Sequence, residues 1–104
     1  MKIGDVEIPV EVLGQVCQKW KIRRVELFGS ARTGRLREES DIDLLVEFEP
    51  EERWSLMELV RAEEEFSRLF GRRVDLVDRG NLQRSMNWIR RDAILQSTEV
   101  IYGA

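Results

Sequence analysis

No histidine occurs at any of the 104 positions of this chain. That absence removes Ser-His and Cys-His nucleophilic sites, histidine general bases and most zinc sites together. A single cysteine, Cys17, cannot form an intramolecular disulfide, and the N-terminus lacks the charged-then-apolar pattern of a secretory signal. The cytoplasm is therefore the expected compartment. No apolar run approaches the roughly 20 residues that a spanning helix needs, so no membrane segment is expected. The two prolines and seven glycines form no linker, and there is no repeat or low-complexity tract. With 17 basic against 20 acidic residues the net charge is only −3, and no global field argues for direct nucleic-acid binding or a membrane surface. Chemistry in such a chain must rest on carboxylates, hydroxyls, arginines or backbone.

What is present reads as one domain over residues 1–104, large enough for one core and too small for separate cofactor and substrate domains. Pro9 suits a first helical turn, and Leu13, Val16, Cys17 and Trp20 recur at the spacing of one helical face. Cys17 is then a core residue. "RRVELF" reads as a strand ending at Gly29. From Ser40 to Phe48 the chain splits by parity, with Ile42, Leu44, Val46 and Phe48 on one face and Asp41, Asp43, Leu45 and Glu47 on the other. The first face is core, and the second begins with two acids.

A helix is expected from about Trp54 to Phe70, stopped by Gly71, with the acids Glu63 to Glu65 on a solvated face. "RRVDLVD" is a further strand, and Leu82, Met86, Ile89 and Ala93 mark a last helix. The class is mixed α/β (α+β): a small mixed sheet flanked by helices, in the order α-β-α-β-α-β-α with a short turn-helix as its second α. Trp88 and Leu95 lie off the core stripe of the last helix. With Trp54 they read either as a second apolar strip suited to an interface or, together with Trp20, as residues that complete the core, and Tyr102 reads as a packing residue.

Residues two apart on a strand project to the same side, so Asp41 and Asp43 can aim two carboxylates into one small volume. Like charges held together must take up a proton, find cations or bind metal, and hard oxygen donors suit Mg²⁺. Ahead of them, Gly29 at a strand-to-helix turn lets the backbone approach a ligand, and Ser30 adds a hydroxyl donor. Gly29-Ser30, ten residues, then Asp41-x-Asp43 is a pattern that holds a nucleoside triphosphate against metal. Asp75 in "RRVDLVD" is the candidate third acid.

At these residues the chain resembles the DNA polymerase β-like nucleotidyltransferase superfamily, and within it the minimal MNT branch, whose signature is Gly-Ser, a ten-residue spacer and Asp-x-Asp. The resemblance runs from the N-terminal helix through "VELFGS", "SDIDLLVEF" and "RRVDLV" to a closing helix that reaches "VIYGA". It implies the nucleotidyltransferase fold and transfer of AMP from ATP to a tyrosine of a HEPN-domain RNase toxin, which makes the chain an antitoxin. By the same resemblance two Mg²⁺ ions are held by Asp41, Asp43 and Asp75, the last on the acceptor side, while Gly29, Ser30 and Arg32 grip the phosphates. Relatives carry an arginine three residues after the serine. Here that position is Thr33, with Arg32 one place earlier and Arg35 or Arg37 able to substitute. A non-catalytic antitoxin that only binds its toxin, and nucleotidyl transfer to a small molecule, are the alternative functions. A homodimer is left open.

Overall fold

The computed structural model describes residues 2–3, 6–29, 41–49, 55–80, 92, 94 and 98–103. Expectations that fall on Ser30, Arg32, Thr33, Trp54, Trp88, Leu95 and the core stripe of the last helix lie outside those residues. So does the short turn-helix. Asp92 and Ile94 are helical.

The described elements are β1 (Lys2–Ile3), β2 (Val6–Glu7), α1 (Val10–Lys19), β3 (Ile22–Phe28), β4 (Ile42–Phe48), α2 (Leu56–Phe70), β5 (Val74–Asp78) and β6 (Glu99–Tyr102). Strands β1 and β2 form a small antiparallel ribbon. The other four make one mixed sheet in the order β5-β4-β3-β6, with β5 parallel to β4 and the remaining pairs antiparallel. Two features differ from the sequence reading. The ribbon was not expected, and the closing segment is a strand where a helix was expected to continue. Val100, Ile101 and Tyr102 are β-branched or aromatic, and β3 offers them a ladder: Val25 pairs with Tyr102 and Glu26 with Val100.

Helix α2 begins with a reciprocal cap. The Ser55 hydroxyl accepts the Glu58 amide at 3.3 Å and lies 3.3 Å from the Glu58 carboxylate. It ends at Gly71, whose φ of 67° is the left-handed conformation that glycine takes without strain. Its buried residues Ala62, Phe66 and Phe70 recur at helical spacing. They meet Leu13, Val16 and Cys17 of α1 over one face of the sheet, where Val25, Leu27, Ile42, Leu44, Val46, Val74 and Leu76 are buried. Cys17 is fully buried there, and burial pushes its thiol up to about 12. No described helix is long and apolar enough to cross a membrane.

The opposite face of the sheet is covered in part. Phe28 and Leu45 are buried there beside Val77 and Ile94. Glu26 is buried on the same strand, at 3% exposure, and its carboxylate is fully engaged. Arg24 and the Thr98 hydroxyl donate to Oε1 at 3.0 and 3.1 Å, and Arg79 pairs with Oε2. One carboxylate therefore ties β3 to the residue after β5 and the residue before β6.

Candidate active site

Two of the three candidate acids, Asp43 and Asp75, are register partners at one end of the sheet. Register sets the arrangement: Phe28 of β3 stands opposite Asp43 of β4, and Asp43 stands beside Asp75 of the parallel strand β5. Neighbouring strands lie about 4.8 Å apart, so Asp43 and Asp75 start from adjacent backbone positions.

Gly29 follows Phe28 directly and turns the chain with φ of 75°. A Cβ at that position would lie 2.5 Å from Oδ2 of Asp43 and 3.4 Å from its Cγ. The positive φ favours glycine, and a Cβ there would force the Asp43 carboxylate to move. The glycine of the Gly-Ser pair and the second aspartate of Asp-x-Asp are thus in contact, although Asp43 lies fourteen residues further along the chain.

Asp41 stands one residue before β4 and is half-buried. Its Oδ2 lies 3.8 Å from Nε of Arg73, an ion pair at the mouth of the parallel ladder. The Asp75 side chain is exposed and faces Glu63 of α2. Among the described residues no group of three or more acidic or cysteine side chains converges closely enough to hold a metal ion. Register brings Asp43 and Asp75 together, whereas the Asp41 side chain is directed to an arginine.

Glu63 and Arg73 stand beside these acids, and the sequence reading gave neither of them a role there. Among the described residues β5 is an edge strand, and two of its outward amides are capped by α2. The Val74 amide donates to the Ser67 hydroxyl at 2.9 Å, and the Leu76 amide donates to Glu63 Oε2 at 3.2 Å. Residues four apart on a helix and two apart on a strand match in spacing, so one helical turn closes two ladder positions. Burial raises the Glu63 carboxyl above its ordinary value. The Leu76 amide acts against that, the Asp75 charge and a hydrogen bond shared with Asp75 push further up, and Arg73 draws it back. The solvated-face reading of Glu63 to Glu65 holds for Glu64 alone. Glu65 also has work, accepting from Lys19 at 3.1 Å and from the Trp20 indole at 2.5 Å. The available signal was spacing: Glu63 and Ser67 are four apart on the helix that leads into "RRVDLV", and Arg73 precedes Asp75 by two.

An open groove of about 520 Å³ runs beside this edge, lined by Ser67, Arg68, Arg73 and Val74 among others.

Residues 10–101 match the family described as Nucleotidyltransferase domain. Protein adenylyltransferase MntA of Thermococcus cleftensis is 39% identical over 66 residues, a match that spans 64% of this chain and 65% of that protein. The chain thus covers less than two thirds of that relative's length. Among solved structures, a chain of a toxin–antitoxin complex with AMP-PNP superposes with a TM-score of 0.72 at 19% identity, covering 93% of this chain and 75% of that one. A chain of the complex between tri-AMPylated HEPN toxin and MNT antitoxin of Shewanella oneidensis superposes with a TM-score of 0.62 at 18% identity, covering 91% and 70%. At these identities both structural likenesses speak for the fold.

Proposed function

The chain belongs to the nucleotidyltransferase domain family, and from that premise we propose that it is the antitoxin of a HEPN/MNT pair and transfers AMP from ATP to a tyrosine hydroxyl of its HEPN toxin. The observation that carries this reading is the contact of Gly29 with the Asp43 carboxylate while Asp43 stands in register with Asp75. A strand-end glycine packed on one acid, with another acid on the next strand, gives a phosphate-approach point and hard oxygen donors on one surface. The adenylyl chemistry named for the Thermococcus relative, and the AMPylated HEPN toxin in the Shewanella complex, support the donor and the partner.

The donor set fits a hard divalent cation. It consists of carboxylates, with no histidine anywhere in the sequence and its single thiol buried in the core. Asp41, Asp43 and Asp75 would hold Mg²⁺, which when bound neutralises triphosphate charge and lowers the pKa of an acceptor hydroxyl. Gly29, Ser30 and Arg32 are proposed to bind phosphate oxygens, Gly29 through its backbone, since the Asp43 carboxylate fills the space a side chain there would take. In the transfer the acceptor oxygen bonds to the α-phosphorus, the bond from that phosphorus to the bridging oxygen breaks, and pyrophosphate leaves. The acceptor proton passes to a carboxylate, for which Asp75 on the edge strand is the proposed base, or to water.

The test is transfer of label from ATP labelled at the α-phosphate to a HEPN-domain protein, the neighbouring gene's product being the first candidate. Label on the partner, dependent on divalent ion, is the expected result. A complex that forms and silences the toxin with no label transferred would favour an antitoxin that acts by binding.

A further inference from the structure

Arg73 is fixed at its root and exposed at its tip. Its carbonyl accepts the Ile42 amide at 2.9 Å, and the next residue, Val74, is the register partner of Ile42. Arg73 and Asp41 therefore stand side by side, each one residue ahead of its strand. Beyond the backbone little holds the arginine: its side chain is 78% exposed, and the contact with Asp41 is a single one at 3.8 Å. It borders the open groove that Arg68, Glu63 and Glu64 also line, and it lies two residues before Asp75. A guanidinium so placed stands against Asp41 and beside the register pair Asp43 and Asp75.

We infer that Arg73 is the resident counter-cation of the acidic face. It neutralises Asp41 in the protein alone, competes there with a divalent cation, and moves to the phosphate oxygens of the nucleoside triphosphate when the cation takes Asp41. This rests on the nucleotidyltransferase reading and adds to it a residue that sets the order of binding. The reasoning is electrostatic. A positive charge a few ångströms from a cation site lowers that site's affinity, whereas a planar guanidinium binds phosphate through paired hydrogen bonds that a lysine does not reproduce. The two effects have opposite signs. Charge alone would move both affinities in these directions, so the variant that keeps the charge but not the guanidinium fork separates a specific phosphate contact from a bystander charge.

The experiment is isothermal titration of the full chain with Mn²⁺ alone, and separately with AMP-PNP in excess Mg²⁺, for the parent, Arg73→Gln and Arg73→Lys. The exposed side chain makes the substitutions compatible with the fold, and an unchanged melting temperature checks this. Arg73→Gln should bind Mn²⁺ about three- to tenfold more tightly and AMP-PNP about three- to tenfold more weakly, the scale of one partly screened charge. Arg73→Lys should keep the parent Mn²⁺ affinity and lose part of the nucleotide affinity. If either affinity of Arg73→Gln stays at the parent value, or Mn²⁺ binds more weakly, the inference is overturned while the nucleotidyltransferase reading stands. A parent protein that binds neither ligand overturns both.

Discussion

The Asp43 carboxylate occupies the space that a side chain on residue 29 would need, since a Cβ there would come within 2.5 Å of Oδ2. The Gly-Ser pair and the Asp-x-Asp pair are therefore two halves of one packed unit, joined across the β3–β4 register. Gly29→Ala should cost about 1–3 kcal/mol from the left-handed backbone angle and the displaced carboxylate. It should also weaken AMP-PNP binding, because Asp43 must move. Denaturant midpoints and nucleotide titration measure the two effects separately. Unchanged nucleotide affinity would mean that Asp43 is not a nucleotide-site acid.

Asp41→Ala and Asp43→Ala should each leave a folded chain and remove divalent-dependent transfer by at least about 100-fold, the scale of losing a charge-stabilising group. Both acids lie on the partly solvated face and neither fills the core between the sheet and α1 and α2. Parent-level transfer in either variant would exclude it as a metal ligand.

Glu63 and Glu65 should respond to pH in opposite directions. The folded-state pKa of Glu63 is raised from 4.5, first by burial, so its contribution is full below that value and is lost as pH rises through the raised one. For Glu65 burial also raises the carboxyl, but the Trp20 and Lys19 hydrogen bonds outweigh it and the net shift is downward. Its stabilisation is present above 4.5 and is lost as pH falls through the lowered value. Glu63→Gln should thus gain stability relative to the parent as pH rises, and Glu65→Gln should lose it. Urea midpoints between acid and neutral pH read both trends, and parallel curves would contradict the assignment.

How far the sequence discloses this molecule depends on how local each cause is. The β4 face split is written in nine consecutive residues, Ser40 to Phe48, and the α2 stop in one glycine, so both are legible. The Gly-Ser and Asp-x-Asp spacing points to the site for the same reason. The Glu26 cluster is not legible, because its partners Arg79 and Thr98 lie 53 and 72 residues away and come together only when the sheet forms. Glu63 is missed because its role depends on β5 being an edge strand, which is a property of strand order. Strand β6 is missed because a short β-branched run after a helical pattern takes its state from the neighbour it pairs with.

Glu26→Ala should be among the most damaging single changes on the second face, at about 3 kcal/mol, because it strips three donors of one buried acceptor. Thermal or urea unfolding of the variant tests this. A loss within about 0.5 kcal/mol, the range of an ordinary surface change, would show that the network contributes little.

Asp75→Asn co-expressed with the proposed HEPN partner tests protection by AMP transfer most directly, read by pull-down and by the intact mass of that partner. A complex that still forms, a partner without added AMP mass and restored toxicity are the predicted result, beside an AMP-bearing, silent partner with the parent chain. Full neutralisation by Asp75→Asn, with no AMP mass on the partner in either case, would contradict it.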